Sequence, residues 1–145
     1  MKVEIKVLPE TKEPYAVIYT SEITPKIRQT ATLLETESSD VIPVTENERI
    51  IALRPDEIYM VRVENERTVV YTKAKKYHSG KRLYELEAIL ANGFMRISKS
   101  TLANLHFLDY VEPTLSGLML MVLKNGCKDY ISRKYLPSFK KYLGL

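Results

Sequence analysis

The chain has 145 residues, of which 45% are hydrophobic and 28% charged, so it is long and apolar enough for one compact domain with a core. It holds no apolar run near the roughly 20 residues that a membrane helix requires. Its single cysteine, Cys127, excludes an intrachain disulfide and a multi-cysteine zinc site. Because the alternating N-terminus also lacks the apolar core of a secretion signal, we expect a cytoplasmic protein.

The N-terminal residues predict a small unit of two strands and a helix. Residues 3–8 alternate between polar and apolar side chains, and residues 15–20 are rich in β-branched and aromatic side chains. Thr24 can cap a helix that begins with Pro25 and ends near Glu37. A spacing of four and three residues gives this helix an apolar stripe of Ile27, Ala31 and Leu34.

From position 41 onwards, short strands at close intervals predict a mainly β domain of the α+β class. A helix over residues 81–90 interrupts them and places three leucines on one face. The predicted strands of this part occupy residues 41–45, 49–53, 58–64, 68–73, 94–98 and 102–111. The chain therefore divides into an N-terminal extension, residues 1–45, and a domain, residues 46–145.

The C-terminal part predicts a hairpin and a final helix. Strands over residues 118–124 and 127–132 flank Asn125 and Gly126, a pair typical of a turn in which both central residues have positive φ. The apolar stripe of the final helix consists of Leu136, Phe139 and Leu143.

The first strand of this hairpin is apolar at every position from 118 to 123. An antiparallel strand usually has one face in water. Two interpretations are open. The strand is covered on both faces, or Met119 and Met121 face outwards and form a dimer or partner surface, which adaptable methionine side chains suit.

Nothing in the sequence predicts catalysis. His78 lies in a polar turn with Ser79 and Gly80, and a lone histidine on an apolar segment, such as His106, is more often a packed core residue than a catalytic one. The five glycines are scattered, so the sequence has no phosphate-binding loop. We therefore expect no enzyme, no cofactor and no metal.

Charge is unevenly distributed along the chain. Residues 1–70 carry 9 basic and 13 acidic side chains, a balance of −4, whereas residues 71–145 carry 13 and 5, a balance of +8. A basic half indicates a polyanionic partner such as nucleic acid. A solvated basic face without a partner is the alternative, and charge alone does not separate the two.

Three basic clusters beside predicted turns or element ends favour nucleic-acid binding by loops of a β domain. Lysine and arginine neutralise phosphates, serine and tyrosine hydroxyls add hydrogen bonds to phosphate, and arginine can read guanine. No pair of predicted helices fits a helix-turn-helix arrangement. We expect contacts to the DNA backbone from Lys73, Lys75, Lys76, Arg96, Ser98, Ser100, Lys134 and Tyr135.

The same clusters carry a resemblance to a known family. The order and spacing of five segments are similar to the LytTR DNA-binding domain, and the match covers about residues 46–145. The segments are DEIYMVRVEN at 56–65, KRLYELEAIL at 81–90, FMRISKSTLANL at 94–105, LSG at 115–117 and LKNGCKDYISRKYLPSFKKYLG at 123–144.

The resemblance implies an elongated fold of short antiparallel sheets with little helix, in a bacterial transcription regulator. It implies that loops enter successive major grooves of double-stranded DNA, commonly at paired direct repeats, and hence a homodimer at least on DNA. The base contacts that it implies map to Lys99 and Arg133. A third lies in the loop between the first two strands of the domain, where Arg67 is the nearest match.

Most LytTR domains follow a receiver domain, and this sequence contains none, so we expect a stand-alone regulator. The resemblance implies that such a regulator often pairs with a small membrane protein that restrains it. We therefore do not expect control by phosphorylation.

Two other functions stay open from the residues alone. In the first, the chain is a protein-interaction module, the N-terminal unit and the strand over residues 118–123 bind another protein, and the basic clusters are only solvated. In the second, Tyr71, Tyr77 and Tyr84 are stacking platforms for single-stranded RNA. Packing of Tyr84 beside the leucines of its helix argues against the RNA hypothesis.

Overall fold

The computed structural model describes residues 1–35, 41–90 and 92–145. The chain divides into two compact units, Met1–Ser38 and Ser39–Leu145, which we call the N-terminal unit and the C-terminal unit. The helix end that the sequence predicts near Glu37 lies outside the described residues.

The N-terminal unit contains the predicted helix, α1 (Pro25–Glu35). Thr24 Oγ1 accepts a hydrogen bond from the backbone N–H of Ile27 at 3.2 Å, which confirms the cap. The two predicted strands, over residues 3–8 and 15–20, are wrong, because neither segment forms a strand. Alternation of polar and apolar residues determines which side chains of a strand share a face. A strand also needs a partner strand, and an isolated hairpin is only marginally stable in water.

The apolar stripe of α1 is incompletely covered. Ile27 and Ala31 are half-buried, Leu34 is exposed, and no described residue of the helix is fully buried. The stripe predicted for a buried face therefore meets only a shallow groove formed with residues 14–20.

The C-terminal unit is built on a seven-stranded antiparallel sheet. Its strands are β1 (Ile42–Glu46), β2 (Arg49–Leu53), β3 (Met60–Glu64), β4 (Arg67–Tyr71), β5 (Lys76–Ser79), β6 (Phe94–Ser98) and β7 (Thr101–Asn104). They lie in the order β2-β1-β5-β4-β3-β7-β6. The mainly β fold with short antiparallel strands is confirmed. Strand β5 was missed, since its residues were assigned to a basic cluster and a turn.

The remaining elements form a second, smaller sheet and two helices. The smaller sheet contains β8 (Leu108–Pro113), β9 (Met119–Leu123) and β10 (Lys128–Ile131), in the order β10-β9-β8. Helix α2 (Leu83–Leu90) connects β5 to β6, and helix α3 (Leu136–Leu143) follows β10.

The larger sheet is buried on both faces by different partners. Successive residues of a strand point to opposite faces, and on β3 Met60 and Val61 accordingly belong to different cores. The core against α2 contains Ile42, Val44, Ile58, Val61, Val70, Leu83, Leu86, Leu90 and Leu102. The core against the smaller sheet and α3 contains Tyr59, Met60, Ile97, Ala103, Leu105, Met121, Leu123, Ile131 and Phe139.

This second core decides between the two interpretations of the apolar strand. Met121 is fully buried and Met119 is half-buried against the same core. The outward-facing partner surface of Met119 and Met121 is therefore wrong, because β9 is the central strand of its sheet and packs on the larger sheet.

Two details of the turns differ from the sequence prediction. At the Asn-Gly hairpin only Gly126 has positive φ, and the loop is wider than two residues, since Leu123 N–H donates to the Cys127 carbonyl. His106, expected in the core, is exposed, because a short 3-10 turn over Leu105–Phe107 turns Leu105 inwards instead.

Turns with positive φ at both central residues occur elsewhere, in two copies of one tetrapeptide. Glu-Asn-Glu-Arg stands at residues 46–49 and again at 64–67. The central residues have φ of 47° and 66° in the first copy and 49° and 63° in the second. Each copy closes a hairpin, β1–β2 or β3–β4, as the type I′ geometry favours.

Candidate nucleic-acid interface

The antiparallel order places the connecting turns alternately at two ends of the larger sheet. One end, which we call the Lys99 end, holds residues 65–67 and 98–101. The other, which we call the Lys75 end, holds residues 47–49 and 72–76. Residues 65–67 and 98–101 lie at the same end because Glu64 pairs with Arg67 and Arg62 pairs with Thr101.

Backbone hydrogen bonds bring three segments together at the Lys99 end. Val63 N–H donates to the Ser100 carbonyl at 2.9 Å, which joins the turn after β3 to the turn after β6. Ser132 N–H donates to the Ile97 carbonyl at 2.8 Å, which brings the segment after β10 to the same place. Arg133 is the next residue of that segment.

The structure therefore gathers the three residues predicted to read bases, Arg67, Lys99 and Arg133. All three are exposed. Within the described parts of the chain, none of these side chains makes a hydrogen bond or an ion pair. This end of the larger sheet thus presents three exposed cations, with the exposed carboxylate of Glu66 in the turn next to Arg67.

The turn that carries Lys99 is held by its neighbours. Ser98 Oγ accepts a hydrogen bond from Ser100 N–H at 3.2 Å, and the two hydroxyl oxygens lie 3.4 Å apart. Arg96 donates to the Lys99 carbonyl at 2.7 Å and forms an ion pair with Glu87 at 3.0 Å. Because its side chain is only 16% exposed, Arg96 positions the turn from within the protein.

The segment that carries Arg133 is also ordered by local bonds. The backbone N–H groups of Tyr135 and Leu136 both donate to the Ser132 carbonyl at 3.0 Å, so the segment bends into α3. Lys134 lies over the Tyr135 ring, 5.3 Å from its centre, a cation–π contact. Phe139, fully buried, anchors the helix that follows.

A polar network joins the smaller sheet to the larger one directly beneath these turns. Asp129 on β10 accepts a hydrogen bond from Thr101 Oγ1 at 2.6 Å and lies 3.6 Å from Arg62. Arg62 donates to Glu64 at 2.6 Å, and the Tyr71 hydroxyl donates to the same carboxylate oxygen at 2.6 Å. The Arg62 guanidinium also lies 5.3 Å from the centre of the Tyr71 ring.

The pKa changes in this network favour its charged state. Burial would lower the pKa of Arg62, but hydrogen bonds to Glu64 and Tyr71 raise it above its usual range. Burial would raise the pKa of Glu64, but bonds from Tyr71 and Arg62 hold it below its usual range. Burial, together with the bond to Glu64, raises the pKa of Tyr71. The network is therefore an ion pair with a neutral phenol at neutral pH.

The remaining predicted cations, Lys73, Lys75 and Lys76, lie at the other end of the sheet. Thr72 shapes their turn, since its N–H and hydroxyl both donate to the Lys75 carbonyl, at 2.8 and 3.0 Å. A strand of five residues separates this turn from the Lys99 end, which is about 13 Å at about 3.3 Å per residue. The structure does not bring the two groups of cations together.

Arg49 is a cation that the sequence analysis overlooked. It follows the turn between β1 and β2, the first two strands of the C-terminal unit, and it is exposed. It lies at the Lys75 end, whereas Arg67, in the second copy of the same tetrapeptide, lies at the Lys99 end. The repeated tetrapeptide is the signal in the sequence from which Arg49 could have been found.

Other kinds of site find little support in the described residues. They contain no cluster of three or more potential metal ligands, and none of their helices is long and apolar enough to cross a membrane. Burial raises the pKa of the Cys127 thiol, which lowers its reactivity at neutral pH. Tyr71 is engaged with Glu64 and Arg62, so it is not available as a stacking platform.

Comparisons with known proteins agree on one family. The family model described as LytTr DNA-binding domain matches residues 48–144. The chain is 32% identical over 112 residues to the sensory transduction protein LytR of Staphylococcus haemolyticus, covering 77% of this chain but only 44% of that protein. It is also 32% identical over 99 residues to an uncharacterized HTH-type transcriptional regulator of Staphylococcus aureus, covering 68% of this chain and 67% of that protein.

A solved structure shows the same fold. It is the LytTr DNA-binding domain of a methyl-accepting/DNA response regulator from Bacillus cereus, with a TM-score of 0.68 and 20% sequence identity over 74% of this chain and 99% of that one. The chain thus corresponds to a nearly complete domain of that type, but spans less than half the length of the sensory transduction relative.

The network beneath the turns gives a pH-dependent prediction. Because the folded-state pKa of Glu64 is lowered, its contribution to stability is present above glutamate's ordinary pKa and is lost as the pH falls through the folded-state value. Glu64→Gln should lower the free energy of unfolding by about 1–3 kcal/mol at neutral pH. Urea titrations should show this difference shrinking in acid.

Glu66→Gln is the matched control, since Glu66 is exposed in the adjacent turn. It should leave the free energy of unfolding almost unchanged at either pH. A Glu64→Gln difference that is the same in acid as at neutral pH would show that the carboxylate's charge is not what stabilises the network.

Proposed function

The chain belongs to the LytTR DNA-binding domain family, whose function is DNA binding in transcription regulation, and we propose that it reads duplex DNA through the three turns at the Lys99 end. In this proposal the C-terminal unit is the DNA-binding part and the N-terminal unit is an extension, because residues 42–45, which the sequence prediction gave to the extension, belong to β1 of the larger sheet. The observation that carries it is that Arg67, Lys99 and Arg133, exposed and without a partner among the described residues, lie at the same end of the larger sheet.

The chemistry of these three side chains suits base recognition. Arginine and lysine donate to O6 and N7 of guanine in the major groove, and arginine does so with two parallel hydrogen bonds. Because the turns are held by the Ser98–Ser100 bonds and by Arg96, the cations are presented without a large loss of loop entropy. We assign Lys99, Arg133 and Arg67 to base contacts.

Phosphate contacts are proposed around them. Ser98, Ser100, Lys134 and Tyr135 lie in the same two segments as Lys99 and Arg133, where their hydroxyls and ammonium group can fix the register on DNA. Arg96 is better assigned to positioning the Lys99 turn, because its guanidinium is used by Glu87 and by the Lys99 carbonyl.

The lysines of the Lys75 end are proposed to reach phosphates farther along the duplex. Lys73, Lys75 and Lys76 are exposed and carry no base-reading geometry with the other cations. A unit that touches DNA at both ends of its sheet would bind along the duplex, as an elongated domain does.

Partners beyond DNA follow from the family resemblance. We propose paired direct repeats as the operator, a homodimer at least on DNA, and a restraining membrane protein as the regulator. The interaction-module alternative, in which the basic clusters are only solvated surface, is not favoured by the family membership.

Loss of a base contact should be specific to the operator. Arg133→Ala and Lys99→Ala should each weaken operator binding by about 1–3 kcal/mol and relax the preference for one base pair. The operator is first selected from random duplex DNA with the purified protein, and the variants are then titrated on it and on random sequence. Equal losses on both would assign these residues to phosphate instead.

The repeated tetrapeptide supplies a matched pair for the third contact. Arg67→Ala should relax base preference, because Arg67 lies at the same end of the sheet as Lys99. Arg49→Ala removes the same charge from the same type of turn at the opposite end of the sheet and should keep the preference intact. If the selection pattern changes with Arg49→Ala and not with Arg67→Ala, the interface lies at the other end.

Salt dependence tests the Lys75 end. Replacing Lys75 and Lys76 together by alanine should weaken binding to operator and random DNA alike. The slope of log affinity against log salt should flatten by about 2, since each phosphate contact contributes about 0.9. An unchanged slope would place the Lys75 end away from DNA.

A further inference from the structure

The N-terminal unit exposes apolar side chains in an alternating pattern. The exposed fractions of Val3, Ile5 and Val7 are 77%, 88% and 84%. Lys2 and Glu4 lie on a common side, with 3.5 Å between the ammonium and a carboxylate oxygen, as alternate residues of an extended chain do. The segment thus has the side-chain pattern of a strand with one apolar face and one charged face.

No strand that the structure describes pairs with this segment. Among the described residues, no backbone N–H or carbonyl of residues 2–7 takes part in a hydrogen bond within the chain. A strand-like segment with free backbone groups and an uncovered apolar face is a template for strand addition. A partner for this segment must supply backbone hydrogen bonds and must also cover the exposed apolar face.

The charges of this segment favour the same segment of a second copy as the partner strand. In an antiparallel register about Ile5, Glu4 of one copy faces Lys6 of the other, Val3 faces Val7, and Ile5 faces Ile5. Shifting the register by two residues in either direction places Glu4 opposite Glu4 or Lys6 opposite Lys6. Like charges directly opposite destabilise a strand pair. Only the register about Ile5 is both apolar on one face and charge-complementary over the whole segment.

The rest of the unit is consistent with a second copy rather than a charged partner. Residues 1–38 carry five basic and six acidic side chains, so the unit does not attract a polyanion or an anionic lipid surface. Tyr15, Val17 and Tyr19 are also exposed and add apolar surface that an association could cover.

We propose that two copies of the chain associate through their N-terminal units by antiparallel pairing of residues 3–7, with the two Ile5 side chains facing each other on the two-fold axis. Such a contact is isologous, since the same surface serves both copies. The proposal deepens the homodimer of the proposed function by naming its surface, and it requires no DNA.

The first test is sedimentation of the full-length chain without DNA. The native chain should be a dimer and Ile5→Lys a monomer, because two ammonium groups would meet on the axis. Ile50→Lys is the matched control, since Ile50 is another highly exposed isoleucine, at 78%, on β2 of the C-terminal unit. It should remain a dimer. A monomeric native chain, or a dimeric Ile5→Lys variant, would overturn the proposal.

A charge-reversal series tests the register. Glu4→Lys and Lys6→Glu should each raise the dimer dissociation constant on the order of tenfold, because both symmetric pairs become repulsive. The double reversal should restore the native constant. An equimolar mixture of the two single variants should form a heterodimer, since each charge of one then meets its opposite in the other. Failure of the mixture to associate would exclude this register.

The outcomes for dimerisation and for DNA reading are separable. Ile5→Lys should keep its base preference at a single half-site while losing cooperative binding to paired sites. Loss of base preference in Arg133→Ala, with an unchanged sedimentation coefficient, tests the DNA contacts alone.

Discussion

The carboxylate of Asp129 links the smaller sheet to the larger one. The two sheets must be aligned if their turns are to contact the same partner. The carboxylate accepts a hydrogen bond from Thr101 on β7 and pairs with Arg62 on β3, while its own strand, β10, leads directly into the segment of Arg133. A hydrogen bond to a charged group contributes roughly 1.5–3 kcal/mol. Its larger effect is geometric, because it fixes the segment of one sheet against the turns of the other.

In the proposed DNA-binding mode, turns of the seven-stranded sheet take the place of a recognition helix. Both faces of the sheet are buried, one by α2 and one by the smaller sheet with α3, so its surface for a partner is at the strand ends. Turns of two residues between buried strands have little freedom. Cations on such turns are nearly as well fixed in position as cations on a helix. Because the turns are adjacent, they also give these cations a spacing that a single loop would not provide.

Local patterns in the sequence were enough for most elements of the C-terminal unit, because its strands alternate and its helices carry apolar stripes. They failed where tertiary pairing decides. Strand β5 has polar side chains and is a strand only because β4 and β1 bond to it on either side. Met121 is buried because the larger sheet covers it. The Arg96 side chain is bound to Glu87, which is nine residues away in sequence. Neither contact has a local signature.

In the N-terminal unit, the local sequence pattern predicts strands that the structure does not form. The reason for this difference supports association of two copies of the chain. Residues 3–8 have a sequence suited to a strand, yet no strand in the described part of the chain pairs with them. A two-fold pair about Ile5 would supply one, but such a pair and a direct repeat on DNA have different symmetry. Operator symmetry follows protein symmetry when the DNA-binding parts are fixed to the axis. Direct repeats therefore require that the two-fold symmetry of the N-terminal pair not be imposed on the DNA-binding units, whereas inverted repeats would show that it is.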